Sequence, residues 1–547
     1  MPTAILDAPP APTLALAPAQ AKPAINPWLI AITVTIATFM ELLDTSIANV
    51  SLPHIAGGLA TSYDESTWVL TSYLVANAVV LPLSAWLSRV FGRKRYYMAC
   101  VAIFSVSSVL CGLAPSLAML ILFRVLQGIG GGGLAPVEQA ILVDTFPGAK
   151  RAAAFALYSM AIVTAPAIGP ILGGWITDSF SWRWIFFINL PLGLISLFLT
   201  SRLVSDPPAF REEVLRLRQS GHLKVDVVGI LLVAAGFACL EVVLDRGQRE
   251  DWLESPLIVT FLAVSLLALA IGCLWEWHHD DPVVEVRLLK NRNFALASSF
   301  YFLFGIVLFG STVLIPQLLQ ALYGYTATDA GLVLGPGAFV IVLLAPLVVR
   351  LVKRVPVRAL IMLGYVVLGL SMWYFASFNL STDYRHEAAA RALQGLGFAF
   401  LFIPISQLAY SNLPANKNNK ASSLTNLFRN LGGSVGIAFV TTLLERRSQF
   451  HQTVLVTHLT DTDLTLQGAA PAIVDRLVAA GHTTADALAT APAILGGLVR
   501  QQATLLGALD CFWILGALAM LGPILALGIR AFDQTGAGRS SGKPASH

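Results

Sequence analysis

The chain has 547 residues, of which 56% are hydrophobic and only 12% are charged. Soluble domains usually carry about a quarter charged residues, so this composition excludes an ordinary soluble protein and indicates one that uses lipid as its solvent. The formal net charge of +4 is small, and it gives no indication of a nucleic-acid partner.

Fourteen apolar runs are long enough to cross a bilayer, because a spanning helix needs about 20 residues. Each run is continuously apolar, which favours helices over the alternating pattern of barrel strands. The sequence therefore predicts an all-α polytopic membrane protein. The predicted spans are 28–50, 68–88, 96–114, 117–138, 153–177, 184–201, 225–244, 256–275, 294–316, 330–349, 359–378, 391–411, 421–444 and 504–530.

The distribution of Lys and Arg predicts the orientation. Residues 1–27 lack the charged region of a cleaved signal and are predicted to form a disordered cytoplasmic tail, so the first span serves as an uncleaved anchor. Basic residues gather in alternate connections, whereas 51–67 and 317–329 contain none. The positive-inside rule then places both termini, including a second tail at 531–547, in the cytoplasm. We expect the membrane to be a bacterial inner membrane.

An internal repeat divides the chain into two halves. The string RVLQGIG at 124–130 recurs as RALQGLG at 391–397 in a span of the same polarity. Duplicated bundles are common in transporters. We therefore predict a six-helix bundle at 28–201, a second at 294–530, and a linker at 202–293 that holds two inserted helices.

The segment 445–503 separates the last two predicted spans and is too long for a simple turn. Its Ala-rich helical pattern fits a loosely ordered loop or an extension of the neighbouring helices. The functional alternative is a docking surface for a periplasmic partner.

Three charged residues stand out inside the predicted spans, where each charge costs roughly 2.5–3.5 kcal/mol on insertion scales. Asp44, Glu41 and Arg124 are predicted at depths of roughly 9, 13 and 10 Å from one surface of the membrane. Burial favours a protonated carboxyl and a nearby Arg favours the charged form, so a small rearrangement can switch between them. We expect these residues to couple protons to transport; the alternative is a static pair that stabilises helix packing.

The fifth span contains a run of small residues and prolines. Gly169 and Gly173 form a GxxxG face, followed by Gly174, and Pro170 is expected to bend the helix. These residues indicate either close helix packing or a conformational motif, and Gly128 of the repeated string belongs to the same class.

A short basic loop follows the second span and contains Gly92 and Arg93. It is either a positive-inside anchor or a latch whose cations contact helix ends or carboxylates in one conformational state only.

Amide and aromatic side chains within the spans are candidates for a substrate cavity, although lipid-facing or packing roles remain open for each. The candidates are Asn49, Asn77, Gln127, Phe304 and Gln317. The five cysteines show no CxxC spacing, so we expect neither a disulfide framework nor a metal site.

Three of these motifs resemble those of the fourteen-helix drug/proton antiporters of the major facilitator superfamily, the EmrB/QacA-like group. They are LDTSIANVSLP at 43–53, RVLQGIGGG at 124–132 and APAIGPILGG at 165–174. The resemblance implies the major facilitator fold, alternating access and export driven by the proton gradient, with no cofactor. It also implies a possible periplasmic membrane-fusion adaptor and an outer-membrane channel.

The sequence thus predicts a proton-driven antiporter that exports small amphipathic compounds from the cytoplasm or inner leaflet. One alternative is a proton-coupled uptake symporter, against which the Gly-Pro motif of the fifth span argues. A membrane-embedded enzyme is a second alternative, but no cluster of His, Cys or nucleophile supports it. A receptor or scaffold that does not transport would leave the buried charges without a task.

Overall fold

A computed structural model describes residues 26–146, 148–206, 212, 226–280, 282–411, 413–414, 417–457 and 464–530. Thirteen helices in this part of the chain are long and apolar enough to span a membrane, and a bent helix brings the number to fourteen. The predicted all-α, fourteen-helix architecture is confirmed. The predicted tail at 531–547 lies outside the described residues, as does that at 1–27 except for its last two residues.

The spanning helices are numbered α1 to α14 in chain order. Their bounds are Pro27–Val50, Trp68–Phe91, Arg93–Gly112, Leu117–Thr145, Gly148–Ser179, Trp184–Leu203, Val227–Arg246, Pro256–His278, Arg292–Leu322, Ala327–Leu351, Val357–Phe375, Tyr384–Ala409, Asn418–Thr457 and Thr484–Ala526. Short helices at Leu52–Gly58, Tyr63–Ser66 and Leu464–Ala479 connect some of them.

Helix packing repeats along the chain. Among α1 to α6, here the N-terminal bundle, α1 packs on α5 and α6, α4 packs on α2 and α3, and α3 packs on α6. The same pairs recur eight helices later among α9 to α14, here the C-terminal bundle. Two equivalent contacts between the bundles are α5 with α10 and α2 with α13, and the bundles also meet where α5 contacts α12 and α4 contacts α13. A duplicated unit accounts for this pattern.

Helices α7 and α8 pack on each other outside these bundles, and α7 also contacts α2 and α13. Polar contacts fix α7 at the seam between the bundles. Glu241 of α7 accepts a hydrogen bond from Ser434 of α13 at 2.8 Å, and Asp245 of α7 accepts one from Thr71 of α2. The inserted pair therefore joins one helix of each bundle.

One end of the molecule holds the connections rich in Lys and Arg, and we call it the basic end; the opposite end is the far end. At the basic end α2 stops and α3 starts at Gly92, whose φ of 89° lies in the left-handed region that glycine adopts without strain. The cations of this end include Arg93, Lys94, Arg287, Lys290, Arg292, Arg350, Lys353, Arg354, Lys417 and Lys420.

Several spanning helices are longer than the approximate apolar runs predicted from the sequence. Polar groups interrupted the runs, but a helix continues through them wherever its backbone hydrogen bonds are kept. The fourth predicted span ended at 138, whereas α4 continues to Thr145; the last was predicted from 504, whereas α14 begins at Thr484.

The segment 445–503 is helical in its described residues. Helix α13 continues to Thr457, a further helix covers Leu464–Ala479, and α14 begins at Thr484. The helix-extension interpretation is therefore confirmed for this part of the chain.

Helix α5 bends by 40° between its parts Lys150–Pro166 and Ile168–Ser179. Pro166 and Pro170 lie inside the helix and remove two backbone donors there. The bend expected from the sequence is present.

Candidate functional site

Asp44 is the centre of a buried polar group in the N-terminal bundle. Its carboxylate accepts hydrogen bonds from Arg124 Nη1 at 2.6 Å, Gln127 Nε2 at 3.0 Å and Asn189 Nδ2 at 2.6 Å. Asp44 is 2% exposed and Arg124 is fully buried. A buried charge persists when it is paired and hydrogen-bonded, and this carboxylate meets both conditions. The contact predicted between Asp44 and Arg124 is present.

Several contacts besides the ion pair hold Arg124 within the bundle, although its Nη2 has no hydrogen-bond partner. Its Nε donates to the carbonyl of Val69 at 3.0 Å, and its Nη1 also donates to Gln127 Oε1 at 2.8 Å. The ring of Tyr73 covers the guanidinium carbon at 4.4 Å from the ring centroid. A face-on aromatic ring attracts a cation, which adds to the ion pair. Arg124 is therefore rigidly positioned opposite Asp44.

Glu41 lies one helical turn from Asp44 but has different partners. It accepts hydrogen bonds from Asn77 Nδ2 at 3.0 Å and Tyr73 Oη at 3.3 Å, and its Oε2 is buried without a hydrogen-bond partner. None of the ion pairs formed by the described residues joins Glu41 to Arg124. The three charges predicted to act together are thus an Asp44–Arg124 pair with Glu41 beside it. Asn77, a candidate for the cavity, is thus a hydrogen-bond donor to Glu41.

Glu138 is a buried carboxylate that the sequence analysis missed. It is fully buried in α4, accepts a hydrogen bond from Thr35 Oγ1 at 2.6 Å, and has a second oxygen without a partner. It was missed because the predicted span ended at this residue, which made Glu138 look like a group at the membrane surface.

Arg429 of α13 carries a positive charge to the interface between the bundles. Its Nη1 donates to Tyr158 Oη of α5 at 3.0 Å, a contact between the two bundles. Arg429 lies in the sequence LFRNLGGSVGIA at 427–438, where a cation within an apolar run is a signal that sequence reasoning could have used.

Hydrogen bonds join the two bundles towards the basic end. Gln139 Nε2 donates to Asn426 Oδ1 at 3.3 Å, and Tyr410 Oη donates to Gln139 Oε1 at 3.3 Å. Ser84 and Ser423 have their hydroxyl oxygens 3.4 Å apart. These contacts cross from α2 and α4 to α12 and α13, so the molecule is closed at its basic end.

The loop containing Arg93 takes part in this closure. Arg93 is 3% exposed and forms an ion pair with Asp144 at the end of α4. Asp144 also accepts a hydrogen bond from Asn418 Nδ2 at 2.9 Å, and Asn418 begins α13. Arg93 therefore orders a carboxylate that joins the two bundles.

Two glycines of α5 form a close contact with α1. A Cβ at Gly169 would meet the side chain of Ser46, and one at Gly173 would lie 3.0 Å from Ile47 Cγ2. Gly174 and Pro170 are buried on the same helix. The carbonyl of Pro166 is left free by the Pro170 ring, and Ser46 Oγ donates to it at 3.1 Å. The GxxxG face thus packs α5 on the helix that carries Asp44.

The other cavity candidates are spread over the molecule. Gln127 is fully buried beside Asp44, whereas Asn49 and Gln317 are exposed near the far ends of α1 and α9. Phe304 is buried in an aromatic cluster with Phe398 and Phe402 at centroid distances of 5.2 and 5.9 Å. The structure brings only Gln127 and Asn77 to the buried charges. Contact of any of the five with substrate remains a prediction.

Comparison with known proteins identifies the family. The model of the Major Facilitator Superfamily matches residues 34–437. The multidrug export protein EmrB of Haemophilus influenzae is 36% identical over 91% of this chain and 94% of its own. The fatty acid resistance protein FarB of Neisseria gonorrhoeae is 35% identical over 94% of this chain and 99% of its own.

Solved structures have the same fold. The human organic anion transporter MFSD10 is similar with a TM-score of 0.59 at 12% identity, over 92% of this chain and 100% of its own. The proton:xylose symporter XylE gives a TM-score of 0.57 at 14% identity, over 91% of this chain and 94% of its own. With its many apolar helices and its relatives, the chain is a multi-pass inner-membrane protein that belongs to the major facilitator superfamily, within the group of EmrB-like multidrug efflux permeases.

Proposed function

We propose that the chain is a proton-driven antiporter that exports small amphipathic molecules from the cytoplasm or inner leaflet. The observation that carries the proposal is the buried Asp44–Arg124 pair, with Gln127 and Asn189 as further donors to the carboxylate. The names of its relatives, which include multidrug export, fatty acid resistance and colistin resistance proteins, favour export of amphipathic cargo. The proton gradient is the energy source, and no cofactor takes part.

The chemistry of the pair suits proton coupling. A proton and Arg124 compete for the same carboxylate, so protonation of Asp44 removes the charge that holds Arg124 in place. Arg124 also binds Val69 of α2, so its release loosens α1, α2 and α4 together. Loss of a buried ion pair is worth several kcal/mol, enough to shift a two-state equilibrium. The cycle would then alternate between the closed basic end and a state in which that end is open.

The orientation belongs to the proposal. The basic end faces the cytoplasm and both termini lie there, because Lys and Arg concentrate in cytoplasmic connections. A cysteine introduced in place of Lys353, in a background without Cys273, should react with an impermeant maleimide in everted vesicles and not in intact spheroplasts. Reaction only in spheroplasts would reverse the orientation.

Energised vesicles test the transport cycle. Addition of an amphipathic substrate to everted vesicles that hold a pH gradient should release protons, and Asp44→Asn should abolish this release. Asn keeps the size of the side chain, so substrate binding at equilibrium should remain within about twofold while proton release is lost. Tyr365→Phe is the control. It removes a buried hydroxyl that donates to the Phe300 carbonyl within the C-terminal bundle, away from Asp44. Unchanged coupling in Asp44→Asn would refute the role of Asp44.

A periplasmic adaptor that passes substrate to an outer-membrane channel is the partner that we propose. The helices that extend at the far end support it, because they leave large apolar side chains exposed, among them Phe450 at 51% and Leu488 at 60%. Leu488→Asp should reduce recovery of a co-expressed adaptor with the purified transporter but leave proton release in vesicles intact. Equal recovery of the adaptor with the unchanged chain and with Leu488→Asp would show that this segment is not the docking surface.

A further inference from the structure

The repeated string in α4 and α12 occupies equivalent positions in the two bundles. A Cβ at Gly128 would meet the carbonyl of Tyr73 in α2, and a Cβ at Gly395 would meet that of Gly337 in α10. The last glycines of the string also correspond. A Cβ at Gly130 would lie 2.6 Å from an atom of α3, and a Cβ at Gly397 would lie 2.9 Å from an atom of α11. Arg391 and Gln394 are therefore the counterparts of Arg124 and Gln127.

The counterpart of Asp44 is a serine. Gln127 Nε2 donates to Asp44 at 3.0 Å, and Gln394 Nε2 donates to Ser311 Oγ of α9 at 2.7 Å. Arg391 donates to Gln394 Oε1, as Arg124 does to Gln127. The C-terminal bundle thus keeps the Arg–Gln part of the polar group and replaces its carboxylate by a neutral hydroxyl.

The aromatic cover is also absent. Tyr73 covers Arg124 with its ring, and the corresponding position in α10 is Gly337, which has no side chain. The Arg391 side chain lies against this glycine, because a Cβ there would be 3.1 Å from Arg391 Nε. Arg391 therefore lacks counterparts of both the Asp44 carboxylate and the Tyr73 ring, which stabilise the charge of Arg124.

Arg391 is nevertheless buried. It is 2% exposed, and its Nε has no hydrogen-bond acceptor. The ion pairs found among the described residues do not include Arg391. Glu387 lies one turn away on the same helix, but no ion pair found among the described residues joins its carboxylate to Arg391. A buried guanidinium without a counter-ion is unfavourable unless an anion joins it.

We propose that Arg391, Gln394 and Ser311 form a binding site for a monovalent anionic group in the C-terminal bundle. The guanidinium supplies the charge and a planar set of donors that fits a carboxylate. The Ser311 hydroxyl donates to the Leu308 carbonyl at 3.1 Å and would turn away from it to become a third donor to the anion. The anion is either the carboxylate of an amphipathic substrate or a chloride ion from the medium. The first identity rests on the proposed export function, whereas the site itself does not.

Equilibrium binding to the purified full-length chain tests the site without any gradient. The probes are a saturated fatty acid and an alkyltrimethylammonium ion of the same chain length, each measured in sodium gluconate and in sodium chloride. Arg391→Gln should weaken fatty acid binding by about tenfold or more, because a charge-assisted hydrogen bond is lost. Binding of the alkyltrimethylammonium ion should stay within about twofold, and Arg391→Lys should recover part of the affinity for the anion.

A second variant guards against simple loss of folding. Ser311→Asp places a carboxylate where the N-terminal bundle has Asp44, so Arg391 acquires an internal counter-ion. This variant should lose anion binding while its thermal stability is kept or increased. Gln320→Asp adds the same charge at an exposed position of α9 and should bind like the unchanged chain.

The outcomes separate the two sources of the anion. Arg391-dependent fatty acid binding that chloride does not alter assigns the site to a substrate carboxylate. A chloride-dependent rise in thermal stability that Arg391→Gln removes, with unchanged fatty acid binding, assigns it to an inorganic anion. Anion binding that persists in folded Arg391→Gln and Ser311→Asp overturns the site, as does an equal loss of cation and anion binding. Failure of transport in energised vesicles would count against export alone.

Discussion

The buried residues of the N-terminal bundle form two kinds of carboxylate environment. Asp44 receives three donors, one of which is an arginine, so its charged form is compensated inside the protein. Glu41 and Glu138 receive neutral donors, and each has one oxygen without a partner. Compensation of this kind ties the stability of the bundle to the Asp44–Arg124 pair, because either partner alone would be a buried, unpaired charge.

The losses of stability on removing Arg124 and on removing Asp44 should therefore not be additive. We expect Arg124→Gln to lower the free energy of unfolding by about 3–5 kcal/mol, because it leaves the Asp44 carboxylate buried and unpaired. The double variant with Asp44→Asn should lose less than the sum of the single losses. Denaturant unfolding in detergent measures the cycle. Asp44→Asn combined with Tyr365→Phe is the control and should be additive within about 0.5 kcal/mol. Additive losses at Asp44 and Arg124 would mean that the two charges are not coupled.

At the scale of helices, the repeated glycines fix the distance at which α4 packs on α2. Gly128 lets the backbone of α4 approach Tyr73 of α2. Arg124, on the preceding turn of α4, then reaches the carbonyl of Val69, which also lies in α2. The close approach and the position of the arginine are thus parts of one packing arrangement.

Gly128→Ala should disturb both the close approach of α4 to α2 and the position of Arg124. The new Cβ would lie 2.8 Å from the Cβ of Ala76 and would meet the backbone of α2, so the helices must separate. We expect a loss of about 1–3 kcal/mol in unfolding free energy, typical of overpacking, and a fall in transport. Gly335→Ala is the matched control, because a Cβ at Gly335 has no atom within 4 Å. A Gly128→Ala protein as stable as the control would contradict this account of the packing.

The connection between α8 and α9 fastens the seam at the basic end. Val283 is 1% exposed and packs with Leu83 of α2 and Val233 of α7. Glu285 forms ion pairs with Lys420 at 2.7 Å and Lys417 at 3.8 Å, both at the start of the C-terminal bundle's α13. This connection therefore ties the inserted pair to both bundles.

Acid should weaken this attachment. Burial would raise the pKa of Glu285, but the hydrogen bond and charge of Lys420, with Lys417 and Arg287, hold that pKa below its ordinary value of 4.5. A carboxyl whose pKa is lowered on folding stabilises the protein above its unfolded pKa and loses this contribution as the pH falls through its folded pKa. Below pH 4.5 we therefore expect a progressive loss of about 1 kcal/mol in unfolding free energy.

Unfolding of the chain and of Glu285→Gln across an acidic pH series measures this contribution. The variant should be less stable above the unfolded pKa, and the difference should disappear towards low pH. Glu254→Gln, at an exposed carboxylate near the far end, should follow the unchanged chain. A stability difference for Glu285→Gln that stays constant with pH would exclude the ionic origin of the contact.

At the scale of the whole molecule, periodic and repeated features were predictable and long-range partners were not. Fourteen apolar runs and the repeated RxLQGxG string indicate the helices and their duplication, and two charges at matched depth predict the contact of Asp44 with Arg124. Asn189 donates to Asp44 from a helix that is distant in sequence, and a single amide gives no periodic signal. Arg391 illustrates the limit best, because its missing counter-ion is visible only when Ser311 is placed beside Gln394.

The closed basic end is a property of both bundles together, and a covalent link across it tests alternating access. The hydroxyl oxygens of Ser84 in α2 and Ser423 in α13 are 3.4 Å apart, a separation from which a disulfide between cysteines can form. In a background with the exposed Cys273 replaced by serine, Ser84→Cys with Ser423→Cys should stop proton-coupled transport on oxidation, and reduction should restore it. The disulfide holds the basic end shut, so substrate cannot enter from that side. Each single cysteine variant should transport under both conditions. Turnover at the original rate in the fully cross-linked protein would mean that transport does not require this end to open.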